Sequence, residues 1–361
     1  MAKTFDLPLA MVVEEGIFDR MGEIVSRYLP DCVGQKTLVV TEELLAGLYS
    51  DTLSRLRQDF SDAELFLIPR ADYETAVGLA KKLSMENIHT VVGFGGGRVL
   101  DVTKYAAFVA KAVYICLPTS LSNDSLASPV AVLNMEGASR KTLGCRIPEA
   151  VFVDTDIILH APVSQTLSGI GDTISKHTAL FDWVLAENAA GGHVDDFAYS
   201  ISRMSYDSVY HCDRKSLTDP IFLRILCRSL VMAGLAMEIA GNSRPSSGSE
   251  HLFAHALEEY HPEIKISHGM ATALGSVGAC IFQGRDEKQL MKVCHEYGLD
   301  LNPASYGITK DIFADCWLRA AGTRPDRVTI LNTTELNRGW LDMIYERMQK
   351  QDMSLYELPK D

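Results

Sequence analysis

The alternation of short β-branched runs with amphipathic segments limits the fold of the first part of this chain. Helical periodicity is found at roughly 42–59, 72–84 and 98–110. Because strands that alternate with helices form a parallel sheet covered by those helices, we predict an α/β fold here. The predicted strands are Thr37 to Thr41, Leu65 to Ile68, Thr90 to Phe94, Val113 to Leu117 and Ala150 to Val153.

From about residue 162 the strand pattern fades and long segments of helical period replace it. The chain has 361 residues, which exceeds the usual size of one hydrophobic core. We therefore predict two domains, an α/β domain over 1–161 and an all-α domain over 162–361. The helical segments expected in the second are roughly 164–188, 195–210, 219–240, 247–260 and 268–282.

The charge balance excludes two classes of partner. With a formal net charge of -13, the chain lacks the basic surface that nucleic acid or an anionic membrane requires. A local cationic pocket could still take a small anion. No apolar stretch reaches transmembrane length, and the eight scattered cysteines, without a C-x-x-C pair, are typical of a reducing compartment. We expect a cytoplasmic protein without membrane insertion.

Three consecutive glycines, Gly95, Gly96 and Gly97, lie where a buried strand runs into a helix. Glycine permits close approach of a ligand, and the N–H groups at a helix start suit a pyrophosphate. The segment is neither G-x-G-x-x-G nor a Walker loop, so a tight structural turn fits it equally well. The polar stretch Pro118 to Pro129 follows the next strand, at the carboxyl edge where ligands bind in open α/β sheets.

Histidines of the helical part suggest a metal site. His251 and His255 are four residues apart on one helix face, and His268 opens the next helical run. Leu252 stands where the H-E-x-x-H protease motif has glutamate, which argues against a protease. A catalytic metal also needs a carboxylate ligand. Asp172 is a candidate, although position alone hardly separates it from Asp154 or Asp182.

Four segments together resemble a known family: GGGRVLDVTK, PTSLSNDSLASP, GIGDTISKHTALFDWVLA and NSRPSSGSEHLFAHALE, the last with a later Ser-His-Gly. They are similar to segments of the sn-glycerol-1-phosphate dehydrogenases, within the superfamily of glycerol dehydrogenase, iron-containing alcohol dehydrogenases and dehydroquinate synthase. The resemblance implies a Rossmann-like dinucleotide-binding domain followed by an all-α metal-binding domain, with the metal between them. It implies reversible reduction of dihydroxyacetone phosphate, a small-molecule polyol phosphate, by NAD or NADP.

Site residues follow from the resemblance position by position. Asp172, His251 and His268 match the ligands of Zn²⁺, with Fe²⁺ or another divalent metal as an alternative, and Asp124 and His255 match catalytic groups that contact the substrate. The cofactor-binding positions are Gly95, Gly96, Gly97, Arg98, Asp101, Thr119, Ser120, Ser122 and Ser128. A homo-oligomer is expected. Arg244, beside the serine-rich helix start Ser246 to Ser249, is a hypothetical phosphate seat.

Two positions depart from the family pattern, and other functions stay open. Ser122-Asn123-Asp124-Ser125 stands where the family reads SHDG, and the first strand ends Thr41-Glu42, which leaves NAD and NADP both open. A dehydroquinate synthase commonly has a glutamate ligand and a GHTFGHA-like segment, neither of which is found here. A dehydrogenase of unphosphorylated polyols or alcohols and an inactive binding protein are the remaining alternatives.

Overall fold

The computed structural model describes residues 4–61, 63–135 and 138–350. The chain divides into two units. The first comprises the residues up to Thr166 together with Leu217–Gly241, and the second comprises Leu167–Ser216 and the residues from Asn242 onward. A helix far along the sequence therefore belongs to the first unit. The boundary predicted between residues 161 and 162 stays a prediction.

The first unit is built on a six-stranded sheet with the order β1-β8-β5-β4-β2-β3, in which every pairing is parallel. A separate antiparallel pair joins β6 to β7. The carboxyl ends of β4 and β5 lie side by side, since Gly95 pairs with Pro118. The strands are β1 (Ala10–Glu14), β2 (Thr37–Thr41), β3 (Glu64–Leu67), β4 (Thr90–Gly95), β5 (Val113–Pro118), β6 (Val130–Met135), β7 (Ala138–Gly144) and β8 (Ala150–Asp154).

Helices alternate with these strands and then follow one another without further strands in the described residues. Those of the sheet part are α1 (Met21–Tyr28), α2 (Glu43–Leu48), α3 (Ser50–Asp59), α4 (Tyr73–Met85), α5 (Gly97–Ala110) and α6 (Thr155–His160). The later helices are α7 (Val163–Ile174), α8 (Lys176–Ala190), α9 (Asp196–Tyr210), α10 (Pro220–Ala240), α11 (Ser249–Tyr260), α12 (His268–Phe282), α13 (Glu287–Glu296), α14 (Lys310–Thr323) and α15 (Arg338–Lys350).

The predicted fold class is confirmed, with corrections to single elements. All five predicted strands are present within about one residue at each end. The segment 42–59 holds two helices, because Tyr49 leaves the helical conformation between α2 and α3. Strand β1 was not predicted, since it lies at an edge and only Ala10 and Val13 of it are buried. The β6–β7 pair was also missed, because two strands outside the main sheet leave no long apolar run.

One predicted helix, 164–188, is interrupted at Ser175. The Ser175 hydroxyl donates to the carbonyl oxygen of Asp172 at 2.7 Å, and Lys176 Nζ donates to the same oxygen at 2.7 Å. Side chains thus satisfy a carbonyl that a continuous helix would pair with a backbone N–H. Helix α7 therefore ends just after Asp172.

Each unit has its own apolar core. In the first, Phe94 of β4 packs edge-on against Phe18 and Tyr49, with ring centroids 5.8 Å from each. In the second, the fully buried Trp317 lies 4.9 Å from Phe253 and 4.8 Å from Phe282, measured between ring centroids. Aromatic edge-to-face packing of this kind fixes the helices that carry the histidines.

Helix α10 corrects one sequence expectation. It has 21 residues and a window of mean hydropathy 1.6, which is long and apolar enough to cross a membrane by length and composition alone. Arg224 and Arg228 interrupt its apolar run, which is why the sequence analysis found no stretch of that length. Since 61% of the window is buried, the helix also fits a core helix of the first unit. That the chain does not insert into a membrane stays a prediction.

Candidate functional site

The glycine-rich junction joins the end of β4 to the start of α5. A Cβ on Gly95 would lie 2.5 Å from the side chain of Val99, and one on Gly97 would lie 3.1 Å from Ser125 Oγ. Gly96 occupies the N-cap position, and within the described residues no side chain caps this helix. Because a helix start exposes backbone N–H groups, the junction offers donors to an anion beside a polar loop.

That loop is the polar stretch after β5, and it lies against the junction as the topology predicted. The backbone N–H of Thr119 donates to Gly95 O at 3.0 Å, and a Cβ on Gly96 would come within 3.3 Å of Ser120 Oγ. Asn123 Oδ1 accepts from the backbone N–H of Ser125, which shapes the turn around Asp124. Ser120, Ser122 and the exposed Arg98 therefore belong to one region with the glycines.

Two predicted cofactor residues occupy a buried ionic network instead of an open surface. Asp101 Oδ1 lies 3.2 Å from Lys104 Nζ, and Asp101 Oδ2 accepts from the backbone N–H of Val132 at 3.1 Å. Lys104 Nζ donates to Ser125 O at 2.7 Å and to Ser128 Oγ at 3.2 Å. The network ties α5 to the loop, so Asp101 and Ser128 hold the loop in position here. A direct cofactor contact by either stays a prediction.

Helix α10 packs against the same loop on its other side. A Cβ on Gly234 would lie 2.4 Å from Ala127 O and 2.8 Å from Ser128 N. Only glycine allows the helix backbone to come this close to the loop backbone. No sequence pattern predicted this contact, because more than a hundred residues separate its two partners.

The second unit brings three predicted ligands together. One possible ligand atom from each of Asp172, His251 and His268 lies within 4.8 Å of the other two. Asp172 stands at the end of α7, His251 in the first turn of α11, and His268 at the first residue of α12. The His251 and His268 rings are 5.1 Å apart, and His255 lies 6.4 Å and 6.3 Å from them. Helix ends of three separate segments thus converge on one point.

Two glycines next to these ligands allow the convergence. A Cβ on Gly269 would lie 1.8 Å from Ser168 O, and one on Gly171 would lie 2.3 Å from Gly269 O. Helices α7 and α12 therefore touch backbone to backbone, without an intervening layer of side chains. This direct contact sets the separation between Asp172 and His268.

Carboxylates orient both imidazole rings. His251 Nδ1 donates to Glu250 Oε1 at 2.8 Å, and His268 Nδ1 lies 3.3 Å from Glu258 Oε1. A hydrogen bond at Nδ1 fixes the tautomer and leaves Nε2 available as a ligand. The buried Lys176 Nζ lies 3.3 Å from Asp172 Oδ2, while Asp172 Oδ1 lies 3.7 Å from His251 Nε2. Each ligand is thus held by a neighbour of opposite charge or by a hydrogen bond.

The charges of this cluster shift its pKa values in opposite directions. Burial works to raise the pKa of Asp172, but Lys176 and His251 outweigh it and lower that pKa. Burial works to lower the pKa of His251, yet Asp172 and Glu250 raise it to about 9. For His255, burial and the charges of His268, His251 and Arg324 lower the pKa well below its ordinary value. His255 is therefore a neutral imidazole beside two carboxylate-paired ones.

Asp182 stabilises the start of α11 through hydrogen bonds. Its Oδ2 accepts from the backbone N–H of Ser249 at 2.7 Å, and its Oδ1 accepts from Ile330 N at 2.9 Å and from Gln283 Nε2 at 3.2 Å. The side chain is 1% exposed. Burial and the nearby charge of Glu250 raise the pKa of Asp182 to about 6 from its ordinary 3.8.

This pKa predicts a pH-dependent effect of Asp182→Asn. An acid whose pKa is higher in the folded state contributes stability that is present below its unfolded pKa and is lost as the pH rises through about 6. Asparagine does not titrate, so the variant lacks that dependence. The stability gap, which is the unfolding free energy of wild type minus that of the variant, should therefore narrow by about 3 kcal/mol from below pH 4 to pH 7. Urea unfolding at several pH values measures the gap.

Asp311→Asn is the matched control, because the Asp311 side chain is 86% exposed and interacts mainly with water and Arg338. Its stability gap should change little over the same pH range. A gap for Asp182→Asn that stays constant or widens as the pH rises would contradict the prediction.

Several residues of the site were missed from the sequence. Glu250 is adjacent to His251, and its Oε2 accepts from Thr178 Oγ1 at 2.8 Å while its Oε1 accepts from Gly248 N at 2.6 Å. Lys176 lies four residues after Asp172, a helical spacing that could have been noticed. Arg324 and Arg327 follow in sequence only after α14, and no sequence pattern linked them to Arg244.

Comparisons with known proteins show which family this chain is similar to. The family model "Iron-containing alcohol dehydrogenase" matches residues 12–162. The glycerol-1-phosphate dehydrogenase (NAD(P)+) of Aeropyrum pernix is 33% identical over 336 residues, which cover 92% of this chain and 94% of that protein. That of Sulfurisphaera tokodaii is 32% identical, over 90% of this chain and 92% of the relative. In fold, the glycerol dehydrogenase of Schizosaccharomyces pombe is similar with a TM-score of 0.78 at 19% identity, covering 97% of this chain and 91% of that one.

Proposed function

Because the chain belongs to the glycerol-1-phosphate dehydrogenase family, we propose that it is an NAD(P)-linked oxidoreductase that interconverts dihydroxyacetone phosphate and glycerol 1-phosphate. The reduction consumes one NAD(P)H and one proton and forms one C–H and one O–H bond. The observation that carries the proposal is the likeness at 33% identity over nearly the whole chain, together with the converging Asp172, His251 and His268.

The donor set of the helical unit fits a divalent metal. Two imidazole nitrogens and one carboxylate oxygen are the protein ligands of a catalytic zinc site that keeps one position open. The hydrogen bonds from Nδ1 of both rings to Glu250 and Glu258 are those that metal-bound histidines usually make. We propose Zn²⁺ held by Asp172, His251 and His268, with Fe²⁺ as the alternative. A bound divalent ion supplies Lewis-acid polarisation of the substrate oxygen.

The glycine-rich junction and its loop are proposed to hold the dinucleotide. Backbone N–H groups at the uncapped start of α5 would bind the pyrophosphate, and Ser120 and Ser122 would add hydroxyl donors. The short distances from Gly95 and Gly97 to neighbouring side chains leave no room for larger residues there. In this proposal the Lys104 network holds the loop against the helix start, so that the nicotinamide is positioned before the substrate enters.

His255 and Asp124 are proposed to bind the substrate. His255 lies one turn after His251 on the same face of α11, and because its pKa is lowered it stays a neutral ring, so one of its nitrogens can donate to a substrate hydroxyl. Asp124 stands in the turn of the polar loop and would orient the polyol. In the reduction, the proton of the new hydroxyl would come from water through His255, and in the reverse oxidation it would leave by the same route.

A substrate and cofactor screen tests the proposed function. Protein loaded with Zn²⁺ or Fe²⁺ is assayed for oxidation of NADH and of NADPH with dihydroxyacetone phosphate, dihydroxyacetone and simple aldehydes. We expect kcat/KM to be highest for dihydroxyacetone phosphate, with glycerol 1-phosphate as the product on a chiral assay. Activity confined to the unphosphorylated compounds would refute the proposal, as would absence of activity with every metal tested.

A further inference from the structure

Three arginines surround the segment that leads into α11. Arg327 Nη1 donates to Ser247 O at 2.6 Å, and its Nη2 donates to Ser243 Oγ at 2.6 Å. Arg244 Nη1 donates to Val328 O at 2.8 Å. Arg324 follows the last residue of α14, a helix that packs against α11. These hydrogen bonds join residues 243–247 to residues 327–328 and hold Arg244 and Arg327 together, with Arg324 three residues before Arg327 in the chain. Arg244, Arg324 and Arg327 are called the arginine cluster below.

The arginine cluster has N–H donors left over, and no carboxylate of the described residues is in direct contact with it. Its hydrogen bonds go to backbone carbonyls and one serine hydroxyl, and each guanidinium carries five N–H groups. Among the described residues, none of the three guanidinium groups lies within 4 Å of a carboxylate oxygen. The two buried acids nearby, Asp182 and Glu250, have their oxygens bound to the start of α11 and to Thr178.

Mutual repulsion within the cluster is visible in its electrostatics. Burial and the like charges of Arg244 and Arg324 lower the pKa of Arg327 to about 10, although the charges of Glu250 and Asp182 oppose this shift. Burial also lowers the pKa of Arg244. Three cations held this closely, in a chain of net charge -13, cost free energy that a bound anion would offset.

The start of α11 itself does not supply the anion site that the sequence suggested. The N–H groups of Gly248 and Ser249 donate to Glu250 and Asp182 at 2.6 Å and 2.7 Å. A phosphate at Ser246 to Ser249 would have to displace these buried carboxylates. The donors available near the site are therefore the guanidinium groups rather than the backbone.

The cluster lies beside the proposed substrate site. Arg327 is hydrogen-bonded to Ser247, two residues before α11, and that helix carries His251 in its first turn and His255 one turn later. The charge of Arg324 also contributes to the lowered pKa of His255. Guanidinium groups bind an oxyanion through paired N–H donors.

We propose that Arg244, Arg324 and Arg327 form the subsite for the phosphate group of the substrate. This inference rests on the proposed function, since it assigns residues to the phosphorylated end of the same substrate.

The test compares Arg324→Met and Arg244→Met with wild type and with Arg319→Met. Arg319 lies on α14, pairs with Asp315 at 2.8 Å and is 54% exposed, so its variant removes the same charge outside the cluster. For each metal-loaded protein, the ratio of kcat/KM for dihydroxyacetone phosphate to kcat/KM for dihydroxyacetone is measured. Each cluster variant should lower this ratio by about 10- to 100-fold, and Arg319→Met should change it less than about twofold.

Inorganic phosphate gives a second readout that does not depend on turnover of the phosphorylated substrate. It should raise the melting temperature of the wild type and of Arg319→Met, and this rise should be lost in the two cluster variants. Arg324→Lys replaces Arg324→Met if the latter fails to fold, and it should retain only part of the ratio because lysine lacks the paired donors.

The outcomes separate the two proposals. A wild type that shows no preference for the phosphorylated substrate would refute the proposed function, whatever the variants do. A wild type with the preference, and cluster variants that keep both the preference and the phosphate-induced rise in melting temperature, would overturn the assignment of the arginine cluster.

Discussion

Replacement of His268 by alanine is expected to abolish metal retention and turnover together. His268 is one of three side chains that offer a ligand atom to the same point, and two ligands hold a divalent ion far more weakly than three. Loss of a residue that only orients a ligand lowers metal affinity by about 10- to 100-fold, so loss of the ligand itself should exceed that range. Metal content after dialysis and the rate of dihydroxyacetone phosphate reduction measure the two effects.

His295→Ala serves as the control, because His295 is an exposed histidine on α13. It should retain metal and activity at wild-type levels. If His268→Ala kept both its metal and its activity, the assignment of the ligands would be wrong. A variant that kept metal but lost activity would assign His268 to the substrate instead.

Replacement of Gly269 by alanine should destroy the same site without touching a ligand. The new Cβ would lie 1.8 Å from Ser168 O and 2.5 Å from Ser168 C, both backbone atoms that cannot rotate away. Helices α7 and α12 must then separate, which moves Asp172 away from His268. Forced overpacking of this kind costs about 1–3 kcal/mol of unfolding free energy. We expect a lower unfolding midpoint in urea and metal binding weaker than in wild type.

Gly322→Ala is the matched control for Gly269→Ala. Gly322 lies in α14, and nothing is within 4 Å of a Cβ built on it. Alanine there should leave stability unchanged or raise it by up to about 1 kcal/mol. If Gly269→Ala bound metal as tightly as Gly322→Ala, the backbone contact would not be what positions the ligands.

Local sequence patterns were enough to predict the sheet and most helices, because each pattern is contained in one element. The strand from Thr90 and the helix after Gly97 are both readable from apolar periodicity. Edge strand β1 was missed because only one face of it is buried, and α10 was assigned to the second domain because its sequence resembles its helical neighbours. Which unit a helix packs in depends on contacts between distant residues, which periodicity does not contain.

For the candidate site, the residue types were predictable and their surroundings were not. His251 and His255 share a helix face by spacing alone, whereas Asp172 was separated from Asp154 and Asp182 only by resemblance. The roles of three further residues depend on contacts in space, not on sequence pattern. Glu250 is a carboxylate next to an imidazole, Lys176 is a cation next to a carboxylate, and Arg324 is a guanidinium whose charge acts on His255. Asp101 and Ser128 were predicted to contact a cofactor. In the structure both interact with Lys104, which the sequence did not indicate.

Helix α10 has a consequence for how the protein is made. The loop that follows β5 is in contact with Gly234 of this helix, although the sheet itself is complete at Asp154. A growing chain on the ribosome therefore finishes the sheet well before it can cover that loop, and α7 to α9 emerge in the interval. His251 and His268 follow only after α10. We expect the nascent sheet unit to depend on chaperones during this interval. We also expect α10 to cover the loop before any metal can be bound.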